Sequence, residues 1–289
     1  MAVRAFASLV KLSHTIFGLP FALAAAALAH RSATAAGEPG LDAMRFLLIL
    51  VAFTAARTAA MGFNRIVDRR IDAANPRTAD RELPKGLIDV RTAWAFTLGA
   101  AAIFVGSAIA LGPLPGLLAV PALAIVFGYS LFKRFSWTSH LMLGIALALA
   151  PGGAWIAVTG SLDAAPPLLL MLAVATWVAG FDVIYSLMDE RFDRDQGLHS
   201  IPVRFGPKGA LVLSAALHVG TVLALVGVHL SAGLGLAHAM GIFAIAAVLV
   251  YEHAIVRPGD LSRVNKAFFD LNGWVSLVYL AAAIVDLAL

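Results

Sequence analysis

The 289-residue chain has no cysteine, so it forms no disulfide, carries no thiolate nucleophile and offers no sulfur ligand to a metal. Charge is also scarce. Asp, Glu, Lys and Arg make up 13% of the residues, against roughly a quarter in an average soluble domain. No Gly/Ser-rich linker or soluble insert interrupts the chain, and there is no Gly-x-x-x-x-Gly-Lys phosphate loop, Gly-x-Ser-x-Gly elbow or spaced dinucleotide fingerprint. These absences exclude a soluble globular domain, a disulfide scaffold and the common nucleotide-binding and serine-hydrolase sites.

What is present is apolar. Hydrophobic residues make up 61% of the chain, in stretches of about 20 residues, the length that crosses a hydrocarbon layer of about 30 Å. Windows at 13–30, 41–63, 90–111, 114–132, 138–159, 167–187, 208–230, 234–253 and 267–289 predict nine transmembrane helices. The fold class is therefore all-α, a polytopic membrane protein, read as one domain over 1–289. A signal peptide is the competing reading of the first window, because Arg4 and Lys11 precede it and Ala27-Leu28-Ala29 resembles a cleavage site.

The 21 basic and 17 acidic residues leave a formal charge of +4. This excess is explained by loops that orient the chain in the membrane, not by nucleic-acid binding. Sorted into alternating loops, 18 of the 21 basic residues fall on the side of the N-terminus; only Arg31 and Arg45 fall opposite, and Arg57 lies inside the second span. The positive-inside rule then puts the N-terminus and the polar face in the cytoplasm and the C-terminus outside, in a cytoplasmic (inner) membrane.

Two long cytoplasmic connections, 64–91 and 182–208, hold ten of the 17 acids. They recur four spans apart, which suggests a pseudo-repeat of 1–135 and 136–265. The first opens NRIVDRRIDAANPRT, with Asn64, Asp68 and Asp72 four apart on one face if the second span continues as a helix, and with Arg57 and Met61 on the same stripe. Asn75-Pro76 should stop that helix, since proline pushes its predecessor out of the α region. The second reads DVIYSLMDERFDRDQGLHSIPVRFG and puts Asp182, Tyr185, Asp189 and Asp193 on one helical face, with Asp195 off it and Gly197 as the stop. One such run alone is a charged helix end leaving a membrane. Two on one side, both mixed with phosphate-compatible arginines such as Arg77, point to a shared site.

Carboxylate and amide oxygens without sulfur or imidazole select Mg²⁺, which takes one or two carboxylates plus water and substrate phosphates. Two facing clusters would hold two Mg²⁺ ions with a diphosphate between them. The chemistry favoured is ionisation of an allylic diphosphate inside a dry cavity open to lipid. The eight histidines show no ligand spacing; His218, His229 and His238 read as structural residues near span ends, and His14 and His199 as helix-end or loop residues close to the site.

Asn-x-x-x-Asp-x-x-x-Asp at Asn64, Asp68 and Asp72, with Asp-x-x-Tyr-x-x-x-Asp-x-x-x-Asp at Asp182, Tyr185, Asp189 and Asp193, resembles the UbiA-type intramembrane aromatic prenyltransferases. The segments KLSHTIFGLPFALAAA, NPRTADRELPKG and GLHSIPVRFG are similar to the 4-hydroxybenzoate polyprenyltransferase branch, including members of menaquinone synthesis. The likeness covers the first six spans and the following loop; past Gly206 only generic apolar helices remain. It implies a nine-helix bundle around a central cavity and Mg²⁺-dependent transfer of a polyprenyl group from an isoprenyl diphosphate to 4-hydroxybenzoate or a dihydroxynaphthoate, for ubiquinone or menaquinone. It further implies that Asn64, Asp68 and Asp72 bind one metal and Asp189 and Asp193 the other. Lys11, Arg57, Arg69, Arg77, Lys133, Arg134 and Asp182 are then expected at the diphosphate or acceptor, and Tyr185 beside the allylic cation. Arg57 is the firmest of the basic residues, because an unpaired guanidinium inside a span costs about 3 kcal/mol or more and so faces a polar cavity. Two other readings use the same acids: a secondary transporter, disfavoured by acids at one face instead of the midplane, and a CDP-alcohol phosphotransferase, whose Asp-Gly-x-x-Ala-Arg signature is missing.

Overall fold

The computed structural model describes residues 15–289. Lys11 and His14 therefore lie outside the described residues. Long apolar stretches form helices because a backbone in lipid must satisfy its own hydrogen bonds. The elements are α1 (Thr15–Ala35), α2 (Ala43–Ala74), α3 (Val90–Leu111), α4 (Pro113–Phe132), α5 (Ser139–Thr159), α6 (Ala165–Ser186), the short α7 (Glu190–Asp195), α8 (Ile201–Ser231), α9 (Leu236–Ile255) and α10 (Val264–Ala288). Among the described residues, eight helices are long and apolar enough to span a membrane. The ninth, α1, packs against α5 and α10 with Phe21 and Ala24 to Ala26 in the core, so it is an integral helix of the bundle. The protein is a multi-pass membrane protein, with nine long helices around a central cavity among the described residues.

Neighbours in sequence pack as neighbours in space from α2 through α6, then α6 against α8, α8 against α9 and α9 against α10. Small residues let the axes approach. A side chain at Gly144 would collide with the Ala175 carbonyl, which brings α5 onto α6, and one at Gly62 would meet Thr97, which brings α2 onto α3. The aromatic centre of the bundle is Phe21 stacked on Tyr279 at 4.7 Å and tilted against Trp177 at 5.1 Å.

Three helix ends set the geometry of the polar face. α2 runs on to Ala74, and Asn75 caps it in an extended conformation, as the Asn-Pro pair requires. Asp89 caps α3, and bonds from the Thr92 hydroxyl and backbone N–H hold its carboxyl below the usual carboxylate range. α8 begins at Ile201, seven residues before the expected span, because Ser200 caps it by accepting from the Val203 backbone N–H; Gly206 at φ 72°, followed by Pro207, then breaks its axis where the apolar stretch begins.

Two expectations need correction. The second acidic run is not one α-helix: α6 ends at Ser186, Leu187–Asp189 form a 3₁₀ turn and α7 follows. The tighter turn rotates Asp189 and Asp193 relative to a continuous helix. His218 sits buried in the middle of α8, not near its end. α10 also contains a π turn, Ala267–Leu271, for which the apolar pattern gave no sign.

Candidate active site

The polar extension of α2 puts Asn64, Asp68 and Asp72 on successive turns of one face, with both carboxylates buried. Burial requires partners. Asp68 receives Arg134 Nη2 at 2.8 Å and Asn64 Nδ2 at 2.9 Å, with Lys133 Nζ 3.6 Å away. Arg134 also bonds the Ser130 and Val67 carbonyls, so the end of α4 is tied to α2. Asp72 receives Arg81 Nη1 at 2.7 Å on one oxygen, and its buried Oδ2 has no hydrogen-bond partner.

The connection after α2 carries the first motif to the second. Asn75 Nδ2 donates to Asp189 Oδ1 at 3.1 Å, and its own Oδ1 accepts from the Arg77 backbone N–H. Arg77 Nε donates to Asp189 Oδ1 at 2.9 Å, its Nη2 to Asp189 Oδ2, and its Nη1 to the Tyr185 hydroxyl at 2.7 Å. The guanidinium lies over the Tyr185 ring, 4.9 Å from its centroid. This paired fork is the geometry that arginine, and not lysine, provides. One turn earlier on α6, Asp182 Oδ2 lies 2.7 Å from Nδ1 of the buried His140.

Both motifs open into one cavity of about 520 Å³. Asn64, Asp68, Asp72, Asp182, Tyr185, Asp189 and Asp193 all line it, with Arg57, Arg77, Arg81, Lys133 and His140. The polar groups gather at one end. Along α4 the lining runs from Lys133 to Pro115, a rise of about 27 Å, close to the full hydrocarbon thickness of about 30 Å. Its lower wall is apolar, with Ala122, Leu118, Leu147 and Met171. Arg57 lies on the same face of α2 as Asn64, about 10 Å deeper, with its buried Nε unpartnered.

The structure does not bring every expected residue there. Arg69 is one position round the helix from Asp68; it bonds the Ile66 carbonyl and is absent from the cavity wall. Arg134 reaches Asp68 from behind without lining the cavity. His199 contributes a backbone bond to the Lys133 carbonyl and does not line the cavity. Sequence reasoning missed His140, Asn75 and Arg81 as site residues. A lone histidine, a helix-stopping asparagine and a loop arginine show no spacing, and only the packing of α5 on α6 and the fold of 75–89 reveal them.

Two acidic faces thus open onto one apolar shaft within the helical bundle. Residues 18–275 match the UbiA prenyltransferase family. The chain belongs to that family. It is a prenyltransferase. Relatives include 4-hydroxybenzoate octaprenyltransferases of Aromatoleum aromaticum, 31% identical over 80% of this chain and 77% of the relative, and of Nitrosomonas europaea, 30% identical over 85% and 83%. A UbiA homolog from Aeropyrum pernix K1 superposes with TM-score 0.84 and 37% identity, covering 94% of this chain and 98% of that one. A UbiA homolog from Archaeoglobus fulgidus bound to GPP and Mg²⁺ shares the fold at TM-score 0.76 and 21% identity, over 99% and 100% of the chains.

The residues of this UbiA-family site fit Mg²⁺. Among the described residues, no three His, Asp or Glu side chains enclose a metal by themselves. That suits an ion that keeps water and substrate phosphate in its shell, not one caged by protein. The buried Oδ2 of Asp72 has no hydrogen-bond partner in the protein and lines the same cavity as Asp68 and Asn64, which makes it an oxygen donor suited to a hard cation.

Proposed function

We propose that this chain transfers a polyprenyl group from an isoprenyl diphosphate to a ring carbon of an aromatic hydroxy-acid, 4-hydroxybenzoate or a dihydroxynaphthoate, in quinone synthesis. The observation that carries the reading is the shared cavity: two acidic motifs at its polar end and an apolar shaft beneath them. The relatives named 4-hydroxybenzoate octaprenyltransferase support the aromatic acceptor. The A. fulgidus homolog, with the same fold and bound to GPP and Mg²⁺, supports the donor.

In this reading Asn64, Asp68 and Asp72 hold one Mg²⁺, and Asp189 and Asp193 hold a second. The bound ions supply Lewis-acid charge that stabilises the leaving diphosphate. The chain does the rest. Arg77, Arg81 and Lys133 sit on Asp189, Asp72 and Asp68 in the ligand-free site. A diphosphate entering with its metals takes over these cations, so the acids stay compensated before binding and the cations face phosphate oxygens afterwards. The apolar shaft takes the prenyl tail and keeps water from the allylic cation. With Arg77 drawn to the diphosphate, Tyr185 presents to that cation the ring that Arg77 covers in the ligand-free site. Arg57 and Asp182 bind the acceptor. The cation is captured by the carbon ortho to the phenolic hydroxyl, and loss of the ring proton restores aromaticity.

The charge of the loops supports a cytoplasmic mouth and an inner-membrane location. The placement of the two motifs at corresponding ends of α2 and α6 supports the pseudo-repeat of 1–135 and 136–265. Replacing Asp68 or Asp189 with Ala should each abolish transfer in protein that still folds; full activity in either variant would sink the reading. Ionisation before attack predicts that fluorine on the allylic carbons slows turnover steeply, and a flat rate series would reverse the order of steps.

A further inference from the structure

A second polar cluster is buried among α6, α8, α9 and α10, and none of its members takes part in the chemistry above. Asn272 donates from Nδ2 to Glu252 Oε1 at 3.0 Å and to the Ala267 carbonyl at 2.9 Å, and its Oδ1 accepts from Trp177 Nε1 at 2.7 Å. Glu252, on α9, is fully buried, and its Oε2 lies 3.7 Å from His218 Nδ1. A carboxyl and a carboxamide sealed inside a membrane bundle are costly to keep. They persist where they hold something in place.

What they hold is the π turn. The Ala267 carbonyl gripped by Asn272 is its first residue, and the turn carries Phe268. Single π turns that interrupt α-helices occur frequently at functional sites. Phe268 stacks on Tyr185 at 4.1 Å between ring centroids and meets Phe181 and Phe17 edge-on at 5.3 and 5.6 Å. All four rings line the cavity. Tyr185 thus meets both Phe268 and the guanidinium of Arg77.

We propose that Asn272 and Glu252 are positioning residues for prenyl transfer: by holding the π turn in register they fix Phe268 against Tyr185, and so give the cavity a rigid aromatic wall that aligns the allylic group with the acceptor ring. This inference rests on the reading given under the proposed function. Glu252 acts as a hydrogen-bond acceptor for the Asn272 amide, a task that needs its oxygen and not its charge. Trp177 ties the same amide to α6, so the wall and the second acidic motif are referenced to one point.

The test uses the full chain purified in detergent with Mg²⁺, geranyl diphosphate and whichever of 4-hydroxybenzoate or 1,4-dihydroxy-6-naphthoate it prenylates. It counts both prenylated acid and geraniol, the product of capture by water. Asn272→Ala and Glu252→Ala should lower kcat by roughly tenfold to a hundredfold, the loss expected when a positioning surface shifts by about an ångström. The KM for geranyl diphosphate should stay within about twofold, because the metal and phosphate contacts are untouched. The geraniol share should rise, Phe268→Ala should give the same pattern, and Glu252→Gln should behave as wild type. Glu252→Gln as damaging as Glu252→Ala, or Asn272→Ala with unchanged kcat and geraniol share, overturns the proposal. Should Asn272→Ala fail to fold, the Glu252→Gln and Phe268→Ala results decide it. A crystal structure of Asn272→Ala gives a readout without turnover: the proposal requires the Phe268 ring to leave Tyr185, and an unmoved ring refutes it. Wild-type protein that binds geranyl diphosphate but prenylates neither acid defeats the functional reading instead, while the structural comparison still judges the clasp.

Discussion

Arg77 meets Asp189 and Tyr185 through three different nitrogens, and this geometry separates fixed positioning from simple charge. A lysine keeps the charge but not the planar fork. Arg77→Lys is expected to lower kcat by roughly a hundredfold, the scale of losing one preorganised donor at a charge-developing site. Steady-state kinetics at saturating Mg²⁺ check this, and wild-type turnover would mean that a point charge suffices. Arg57 makes the opposite kind of case. Its buried Nε has no partner, so Arg57→Met should leave the thermal midpoint unchanged or raised, since a desolvated cation is removed, and should raise the KM for the aromatic acid. A lower midpoint with an unchanged KM would make Arg57 structural. The acids of the first motif were legible residue by residue, because spacings of four state a shared face; those of the second were legible as a cluster, although the 3₁₀ turn at Leu187–Asp189 breaks the helix that their spacing assumed. Arg69 misled because adjacency in sequence is a hundred-degree turn on a helix.

At the scale of elements, small residues decide how closely helices meet. A Cβ at Gly144 would strike the Ala175 backbone carbonyl, which cannot yield, whereas nothing lies within 4 Å of one at Gly153. Gly144→Ala should therefore destabilise the α5–α6 pair by about 1–3 kcal/mol, and Gly153→Ala, on the cavity wall, should not. Thermal unfolding in one detergent compares them directly, and equal midpoints would contradict the packing described. Hydropathy placed most spans to within a few residues but missed the first seven residues of α8, which starts at Ile201, and the extension of α2 to Ala74 followed from the Asn-x-x-x-Asp-x-x-x-Asp stripe and its Asn-Pro stop. The 3₁₀ turn at Leu187–Asp189 and the π turn at Ala267–Leu271 were not legible. Each shifts a register by a fraction of a turn, and tertiary bonds such as Arg77 to Asp189 and Asn272 to the Ala267 carbonyl hold that shift. His140 was missed for the same reason: its meaning lies in Asp182, 42 residues away.

For the whole molecule, the proposed orientation puts the mouth of the cavity in the cytoplasm. Because the chain has no native cysteine, single replacements report sidedness cleanly. A cysteine replacing Lys85 should resist a membrane-impermeant maleimide in intact cells, and one replacing Ala232 or Ser161 should react. The reverse pattern would invert the protein. The central claim is that two acidic faces, brought together by the helical bundle, serve one Mg²⁺-dependent transfer to an aromatic ring. Its most direct test is to incubate the purified chain with Mg²⁺, geranyl diphosphate and, separately, 4-hydroxybenzoate and 1,4-dihydroxy-6-naphthoate, and to look for product by mass spectrometry with and without EDTA. The account predicts a carbon-prenylated acid from at least one acceptor that disappears when EDTA removes the metal. Absence of any prenylated product, together with no release or binding of diphosphate, would contradict it.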